Sequence, residues 1–254
     1  MELGIFEYSI AIAGGFVAGI MNTLAGYGSI ITLTILMDVI GLPANIANGT
    51  NRVNVLANTT AAALGFYNNG KLDLKKGSSV LIIVCIGALL GIITAISVSN
   101  EQFRSVFKYL VIVLFFALIV NPKKWISESQ INNEVPLWKQ LLIYLPIGFY
   151  GGFIQMGMGV IFLMAGVLVS KYSIIKANAL KSVIITVYTI MSLAIFQWKG
   201  MVDWKIGAII AIGAALGGYL TAHYSTRLKN ANLFAYRFMI VVVVVVILRT
   251  FGVF

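Results

Sequence analysis

The first long apolar segment of the chain reads YSIAIAGGFVAGIMNTLAGYGSIITLTILM, residues 8–37, and contains no charged side chain. A single helix of this length, at 1.5 Å per residue, would measure about 45 Å, whereas the hydrocarbon core of a bilayer is about 30 Å thick. Gly26 and Gly28 lie near its middle, and glycine both weakens a helix and permits a turn. The segment therefore predicts a broken helix or a re-entrant hairpin.

A second segment, 140–170, is equally long and uncharged, and it carries Gly157 and Gly159 in the same relative place. The other apolar sequence divides into six stretches that each suit one membrane-spanning helix of about 20 residues. These predicted spans are 44–67, 77–98, 103–120, 174–198, 206–224 and 233–254. The pattern predicts an all-α polytopic membrane protein.

The composition supports this class and excludes others. Of 254 residues, 60% are hydrophobic and 10% are charged, against roughly 25% charged residues in soluble domains. The formal charge is +10, but the basic residues are scattered singly between apolar spans, which argues against a nucleic-acid partner and fits positive loops on one side of a bilayer. A single cysteine, Cys85, excludes an internal disulfide and a cysteine metal cluster, and we predict no metal and no cofactor.

The chain contains an internal repeat at an offset of about 130 residues. The strongest match pairs two G-x-x-D-x-K-x-G motifs, which begin at Gly70 and at Gly200. The sequence thus predicts a first transmembrane repeat over 1–120, a polar linker over 121–139 and a second repeat over 140–254, each with one broken segment and three helices. If each broken segment returns to its starting side, each half crosses an odd number of times and the halves are inverted. The distribution of Lys and Arg among the loops does not decide the orientation, but the excess length of the two segments favours inversion.

The helix after each broken segment is unusually polar. In the first, Asn51, Asn54 and Asn58 fall on one helical face beside Arg52; in the second, Asn178 and Ser182 flank Lys181. Neither span contains Asp or Glu, and a lone cation at the centre of a span costs about 2.5–3.5 kcal/mol. Two such cations with amide and hydroxyl donors suit a bound anion. The alternative is that the cations reach an interface and the amides hold helices together.

The glycine breaks also have two interpretations. Small residues allow close helix packing, or freed backbone N–H groups and half-helix N-termini point at an anion. We favour the second, with Asn22 and Gln155 as additional donors. Asp38 and His223 lie at span edges, where either could carry a coupling proton, although interfacial placement is the preferred interpretation.

Other classes fit less well. A membrane enzyme would have to rely on Ser29 and His223, because no hydrolase or metalloprotease motif is present. A potassium-type filter needs four equivalent loops, and TLAGYG at 23–28 has only MGMG as its counterpart. An anion channel, a carrier of another small organic anion and a non-transporting scaffold stay open.

The duplicated half, the glycine-rich break and the following A-N-G-T-N at 47–51 resemble the TauE/SafE family of sulfite exporters, also called toluene sulfonate uptake permeases. The resemblance covers the whole chain and implies a multi-pass protein of the cytoplasmic (inner) membrane that carries sulfite, thiosulfate or organosulfonates. A coupling proton or sodium ion is a further expected partner. The predicted substrate-binding residues are Arg52, Lys181, Asn48, Thr50, Asn51, Asn54, Asn178, Ser182, Gly26, Gly28, Gly157, Gly159, Asn22 and Gln155.

Overall fold

The computed structural model describes residues 4–72, 77–119 and 135–224, together with short pieces of 240–248. All regular structure in these ranges is helical, as predicted. The helices are α1 (Ile5–Ala25), α2 (Gly28–Thr34, continued by a π-helical turn Ile35–Val39), α3 (Ala44–Asn68), α4 (Ser78–Ser97), α5 (Asn100–Ile119), α6 (Leu137–Phe153), α7 (Met158–Leu168), α8 (Ile174–Trp198) and α9 (Trp204–Tyr224). Most of the predicted span 233–254 and most of the predicted linker 121–139 lie outside the described residues.

The first long segment is a helical hairpin, which we call hairpin 1 (α1 and α2). Helix α1 ends at Gly26, whose φ of +81° is in the left-handed region that glycine adopts without strain. Gly28 then lies against Ala18, and Ile35 lies against Gly14. Later residues of α2 thus meet earlier residues of α1, so the two helices are antiparallel and the segment returns toward its start, as one of the two predicted arrangements requires.

The second long segment forms hairpin 2 (α6 and α7) in the same way. Gly157, with φ +73°, precedes α7. Gly151 lies against Met158, while the Tyr144 hydroxyl lies 2.7 Å from the Ser170 hydroxyl. The contacts again run in opposite directions along the chain, so α6 and α7 are antiparallel.

Each hairpin packs against the fourth helix of the other half. In hairpin 1, a Cβ at Gly15 or Gly19 would overlap carbonyl oxygens of α9, and Gly213 and Gly217 of α9 approach α1 equally closely. The crossing of α6 with α4 repeats this arrangement, with Gly148 and Gly152 facing Gly87 and Gly91. Small residues four apart let two backbones touch in a membrane, so these four motifs join the halves.

The register of these contacts fixes the orientation of the halves. Gly15 meets Ile210 and Gly19 meets Ala214, so α1 runs parallel to α9. In the same way Val53 meets Gly207 and Gly65 meets Ala222, so α3 also runs parallel to α9. By the same test α6 is parallel to α4. The start of α3 is bonded to Asn100 just after α4 (Ala44 N to Asn100 Oδ1, 2.5 Å), which makes α4 antiparallel to α3. Hairpin 2 is therefore inverted relative to hairpin 1.

Helices α3 and α8 lie side by side in the interior. They are antiparallel, because Thr59 bonds to Thr186 and Gly49 faces Phe196. Four of the described helices are long and apolar enough to cross a membrane: α1, α4, α8 from Ile175, and α9. Helix α3 is as long as α8 but more polar, and its neighbours bury Asn48, Thr50, Asn51, Arg52, Asn54, Asn58 and Thr59 along with its apolar face.

Candidate substrate site

Arg52 belongs to α3, and its side chain reaches the C-terminal end of α6 in hairpin 2. Its side chain is fully buried. The guanidinium donates to the carbonyl oxygens of Gly151 (2.8 Å) and Gly152 (2.8 Å), to the Phe153 carbonyl (3.4 Å) and to Gln155 Oε1. The last carbonyls of a helix have no partner within it and carry the negative end of the helix dipole. Arg52 thus satisfies the broken end of α6.

Lys181 does the same for hairpin 1. Its buried ammonium donates to the carbonyls of Asn22 (2.9 Å) and Thr23 (3.3 Å) at the end of α1, and to Asn178 Oδ1 (2.7 Å). The arrangement is reciprocal, because a cation on α3 caps the hairpin of the second half and a cation on α8 caps the hairpin of the first.

In the described part of the chain, the hydrogen-bond partners of the two cations are carbonyl or amide oxygens. Such groups supply partial charge only, and neither α3 nor α8 contains an acidic residue. Both formal charges therefore stay without a counter-ion on these helices. The register of α3 and α8 places Arg52 on one side of the centre of the pair and Lys181 on the other.

A network of amides lies between them. Asn22 donates to Asn58 Oδ1 (2.6 Å), and Asn58 donates in turn to the carbonyls of Gly19 (3.1 Å) and Ala214 (2.9 Å). Asn58, on α3, is thus bonded to two other helices, α1 and α9, and it also lies against Gly218 of α9. On the adjacent face Asn51 Oδ1 accepts from Thr32 (2.5 Å) and from Asn54 (3.1 Å).

The first-half donors enclose a narrow crevice. It is lined by Ala18, Gly19, Asn22, Gly28, Ser29, Asn54, Val55 and Asn58. The crevice has no room for a water-sized molecule. It is therefore closed in this structure, and a bound molecule would need hairpin 1 to move relative to α3.

The glycines of the two breaks contact each other. A Cβ on Gly26 would lie 2.5 Å from the backbone carbon of Gly159, and the aliphatic part of Lys181 packs against the same place. Gly28 packs on Ala18 and Asn22, and Gly157 provides the turn before α7. In this structure the glycines serve close packing, which was the less favoured of the two interpretations of the sequence. Donation to an anion by their N–H groups stays a prediction.

The other predicted residues have local roles. Asn48 donates to the Phe153 carbonyl (3.0 Å) and lies with Arg52 at the end of α6. Ser182 donates to the Asn178 carbonyl (2.9 Å) within α8. Thr50 is apart from the cations, since its hydroxyl accepts from the Asp203 backbone N–H (2.9 Å) and ties the α8–α9 connection to α3. Asp38 lies 3.4 Å from Arg104 at an exposed position, in keeping with interfacial placement.

Sequence reasoning did not find the capping. The signal for it was present, because a lone basic residue in a span and a broken helix elsewhere in the chain both need a partner inside the bilayer. Which break lies beside which cation depends on the packing of one half on the other, which no local pattern gives.

A helical membrane protein with two inverted halves, whose broken segments and buried polar side chains meet in the interior, has an architecture typical of membrane transporters. Comparison with known proteins agrees. The chain belongs to the sulfite exporter TauE/SafE family, whose model matches residues 11–250.

Several relatives carry the name of probable membrane transporter protein. One from Haemophilus influenzae is 29% identical over 222 residues, which cover 87% of this chain and 86% of the relative. ORF9 of a Sinorhizobium species is 25% identical (88% and 85% covered), and YfcA of Escherichia coli K12 is 26% identical (79% and 74%). No solved structure gives a significant match. These findings indicate a multi-pass membrane transporter with a small-molecule substrate.

Proposed function

We propose that the protein is a secondary carrier that moves a small sulfur-containing anion, such as sulfite, thiosulfate or an organosulfonate, across the cytoplasmic membrane. The observation that carries the proposal is the pair of buried cations, Arg52 and Lys181, whose partners among the described residues are oxygens without a full negative charge. A buried charge with no counter-ion is costly, and an anion that binds between the two halves offsets this cost.

The substrate class comes from the family. Its name refers to sulfite export, and a sulfur oxyanion has several oxygen acceptors for the amide and hydroxyl donors near the cations. The relatives' names specify no substrate, so the choice among sulfite, thiosulfate and sulfonates depends on experiment.

The reciprocal caps suggest how access alternates. Arg52 and Lys181 each join one half to the hairpin of the other. A movement of hairpin 1 away from α8 exchanges the Asn22 and Thr23 carbonyls for a bound anion at Lys181, and the equivalent movement of hairpin 2 does so at Arg52. Because the halves are inverted, the two movements open opposite sides of the membrane. A proton or sodium gradient would drive the cycle.

The test is uptake of radiolabelled sulfite, thiosulfate and methanesulfonate into proteoliposomes, under proton or sodium gradients. We expect saturable flux of one anion, stimulated by the same anion on the opposite side. Flux should fall at least tenfold in Arg52→Gln and in Lys181→Gln, with Thr50→Val as a control in a polar residue outside the cation clusters. Flux that does not saturate and shows no trans-stimulation would indicate an anion channel. No flux of any of the three anions would contradict the substrate class.

A further inference from the structure

In the part of the chain that the structure describes, several buried polar atoms have no partner, and the register of α3 and α8 places three of these hydrogen-bond donors around Arg52. They are Nε of Arg52 itself and the hydroxyls of Thr189 and Ser192 on α8. All three side chains are 0% exposed. A buried donor without a partner destabilises the folded state, so an unpaired cluster of them requires an explanation.

The two hydroxyls differ from the others on these helices. A serine or threonine in an apolar helix ordinarily donates to the carbonyl four residues earlier. Thr34, Thr59 and Ser182 do so at 2.8–2.9 Å, and Thr186 lies within reach of the equivalent carbonyl, that of Ser182, at 2.9 Å. Thr189 and Ser192 make no such bond, and their hydroxyls are left available to something else.

The register of α3 and α8 brings the three donors to one place. Gly49 faces Phe196 and Thr59 bonds to Thr186, so Ser192 lies opposite Arg52. The Arg52 guanidinium carbon is 5.6 Å from the centre of the Phe196 ring, one helical turn beyond Ser192. Thr189, Ser192 and Phe196 share a helical face by their spacing.

We infer that Arg52 Nε, Ser192 Oγ and Thr189 Oγ1 form the subsite that recognises the oxygen atoms of a small oxyanion. This inference deepens the proposed function and rests on it. The set combines a full positive charge with hydroxyl donors and contains no carboxylate. An oxyanion with two or three terminal oxygens can accept from all three groups, whereas chloride has no fixed acceptor directions to match them.

The subsite occurs on one side of the repeat only. At the offset of 130 residues that relates Gly70 to Gly200, Thr189 corresponds to Thr59 and Ser192 corresponds to Ala62. Thr59 already donates to Val55 and accepts from Thr186, and Ala62 has no hydroxyl. Lys181 also has three partners for its three N–H groups. Among the described residues, the hydroxyls of α8 without a partner are thus those of Thr189 and Ser192, on the Arg52 side, while the Lys181 cluster has one unpaired hydroxyl, Thr23 Oγ1.

The experiment compares Ser192→Ala and Thr189→Val with Thr59→Val as the matched control, a buried hydroxyl that already has its partners. We would measure the concentration dependence of uptake for the transported anion. Loss of one hydroxyl should raise the half-saturation concentration about tenfold, with less change in maximal rate, and the control should stay within twofold. Equal values in all three variants and the wild type would overturn the subsite while leaving the carrier intact.

A binding assay separates the subsite from transport. Purified protein would be titrated with sulfite, thiosulfate and methanesulfonate at constant ionic strength, with chloride as the reference, and the thermal midpoint recorded. Stabilisation by an oxyanion that is weakened in Ser192→Ala and Thr189→Val supports the subsite even if no flux is observed. No stabilisation of the wild type by any of the three, in a protein that also shows no uptake, would overturn both proposals. Variants that lower the midpoint equally with and without anion would show that the hydroxyls hold a structural water only.

Discussion

The two cation clusters occupy equivalent places in the two halves but are not copies of each other. At hairpin 2 a guanidinium donates to three backbone carbonyls; at hairpin 1 an ammonium donates to two. Guanidinium has five donors in a plane and ammonium has three. The break of hairpin 2, Ile154 to Gly157, is longer than that of hairpin 1, Gly26 to Tyr27. The larger cation therefore stands where the broken end exposes more carbonyls.

The difference also separates two roles. All three N–H groups of Lys181 have oxygen partners in the protein, whereas Arg52 retains Nε. We infer that Lys181 mainly closes hairpin 1, and that Arg52 both closes hairpin 2 and contacts the anion. The predictions below test first what the halves share and then where they differ.

The largest effect is expected at the glycine crossings, where the halves are alike. A side chain at Gly19 would overlap the Ala214 carbonyl, and one at Gly152 would overlap the Ala88 carbonyl. Because backbone cannot move aside as a side chain does, we expect Gly19→Leu and Gly152→Leu each to abolish the folded, monodisperse protein in size-exclusion chromatography. Ala208→Leu, on the exposed side of α9, adds the same bulk and should be tolerated. Normal behaviour of either glycine variant would contradict close packing at that crossing.

The next effect distinguishes the cations. Arg52→Met leaves three oxygens unpaired, the Gly151 and Gly152 carbonyls and Gln155 Oε1, because the Phe153 carbonyl keeps its bond from Asn48. Each unpaired oxygen costs about 1–3 kcal/mol, and removal of the buried charge saves about 2.5–3.5 kcal/mol. The free energy of unfolding should therefore fall by about 3 kcal/mol, which lowers the thermal midpoint by about 10 °C for a chain of this size. Thermal unfolding in detergent measures it, and Arg52→Lys should recover part of the loss. A midpoint at or above that of the wild type would show that these oxygens find other partners.

Lys181→Met should cost less, because it leaves two oxygens unpaired, the Thr23 carbonyl and Asn178 Oδ1, and saves a similar amount. The Asn22 carbonyl keeps its bond from the Gly26 N–H. The same arithmetic lowers the free energy of unfolding by about 1 kcal/mol and the thermal midpoint by about 3 °C. A loss at Lys181 as large as that at Arg52 would contradict the view that the number of oxygens left unpaired sets the contribution of each cation.

Much of the fold was predictable from the sequence, because the physical constraints are local. Residues 8–37 and 140–170 exceed the thickness of a bilayer and contain glycines, and both are hairpins in the structure. The predicted spans 44–67 and 174–198 match α3 and α8 almost to the residue, since Pro43 and Ser173 precede the helices and Gly70 and Gly200, both with positive φ, follow them.

The contacts between halves were not predictable in this way. The loop charges do not decide how the two halves are oriented relative to each other. The contacts of α1 with α9 and of α6 with α4 in the structure do decide it. The sequence marked Arg52 and Lys181 as unusual because they are charges in apolar spans, but their carbonyl partners lie about 100 to 160 residues away along the chain. Ser192 carried no signal at all, because a serine that lacks its usual helical hydrogen bond looks the same in sequence as one that makes it.

The smallest effect is expected where the two halves meet through a pair of hydroxyls. Thr186 donates to the Thr59 hydroxyl at 3.0 Å and also lies within reach of the Ser182 carbonyl at 2.9 Å. In Thr186→Val the Thr59 hydroxyl keeps its own bond to Val55, so no donor is left unpaired. A hydrogen bond between helices in a membrane contributes about 0.6 kcal/mol, so the thermal midpoint should fall by no more than about 2 °C and the half-saturation concentration should not change. A large rise in that concentration would place Thr186 in the anion path and extend the recognition surface of α8 by a turn beyond Thr189.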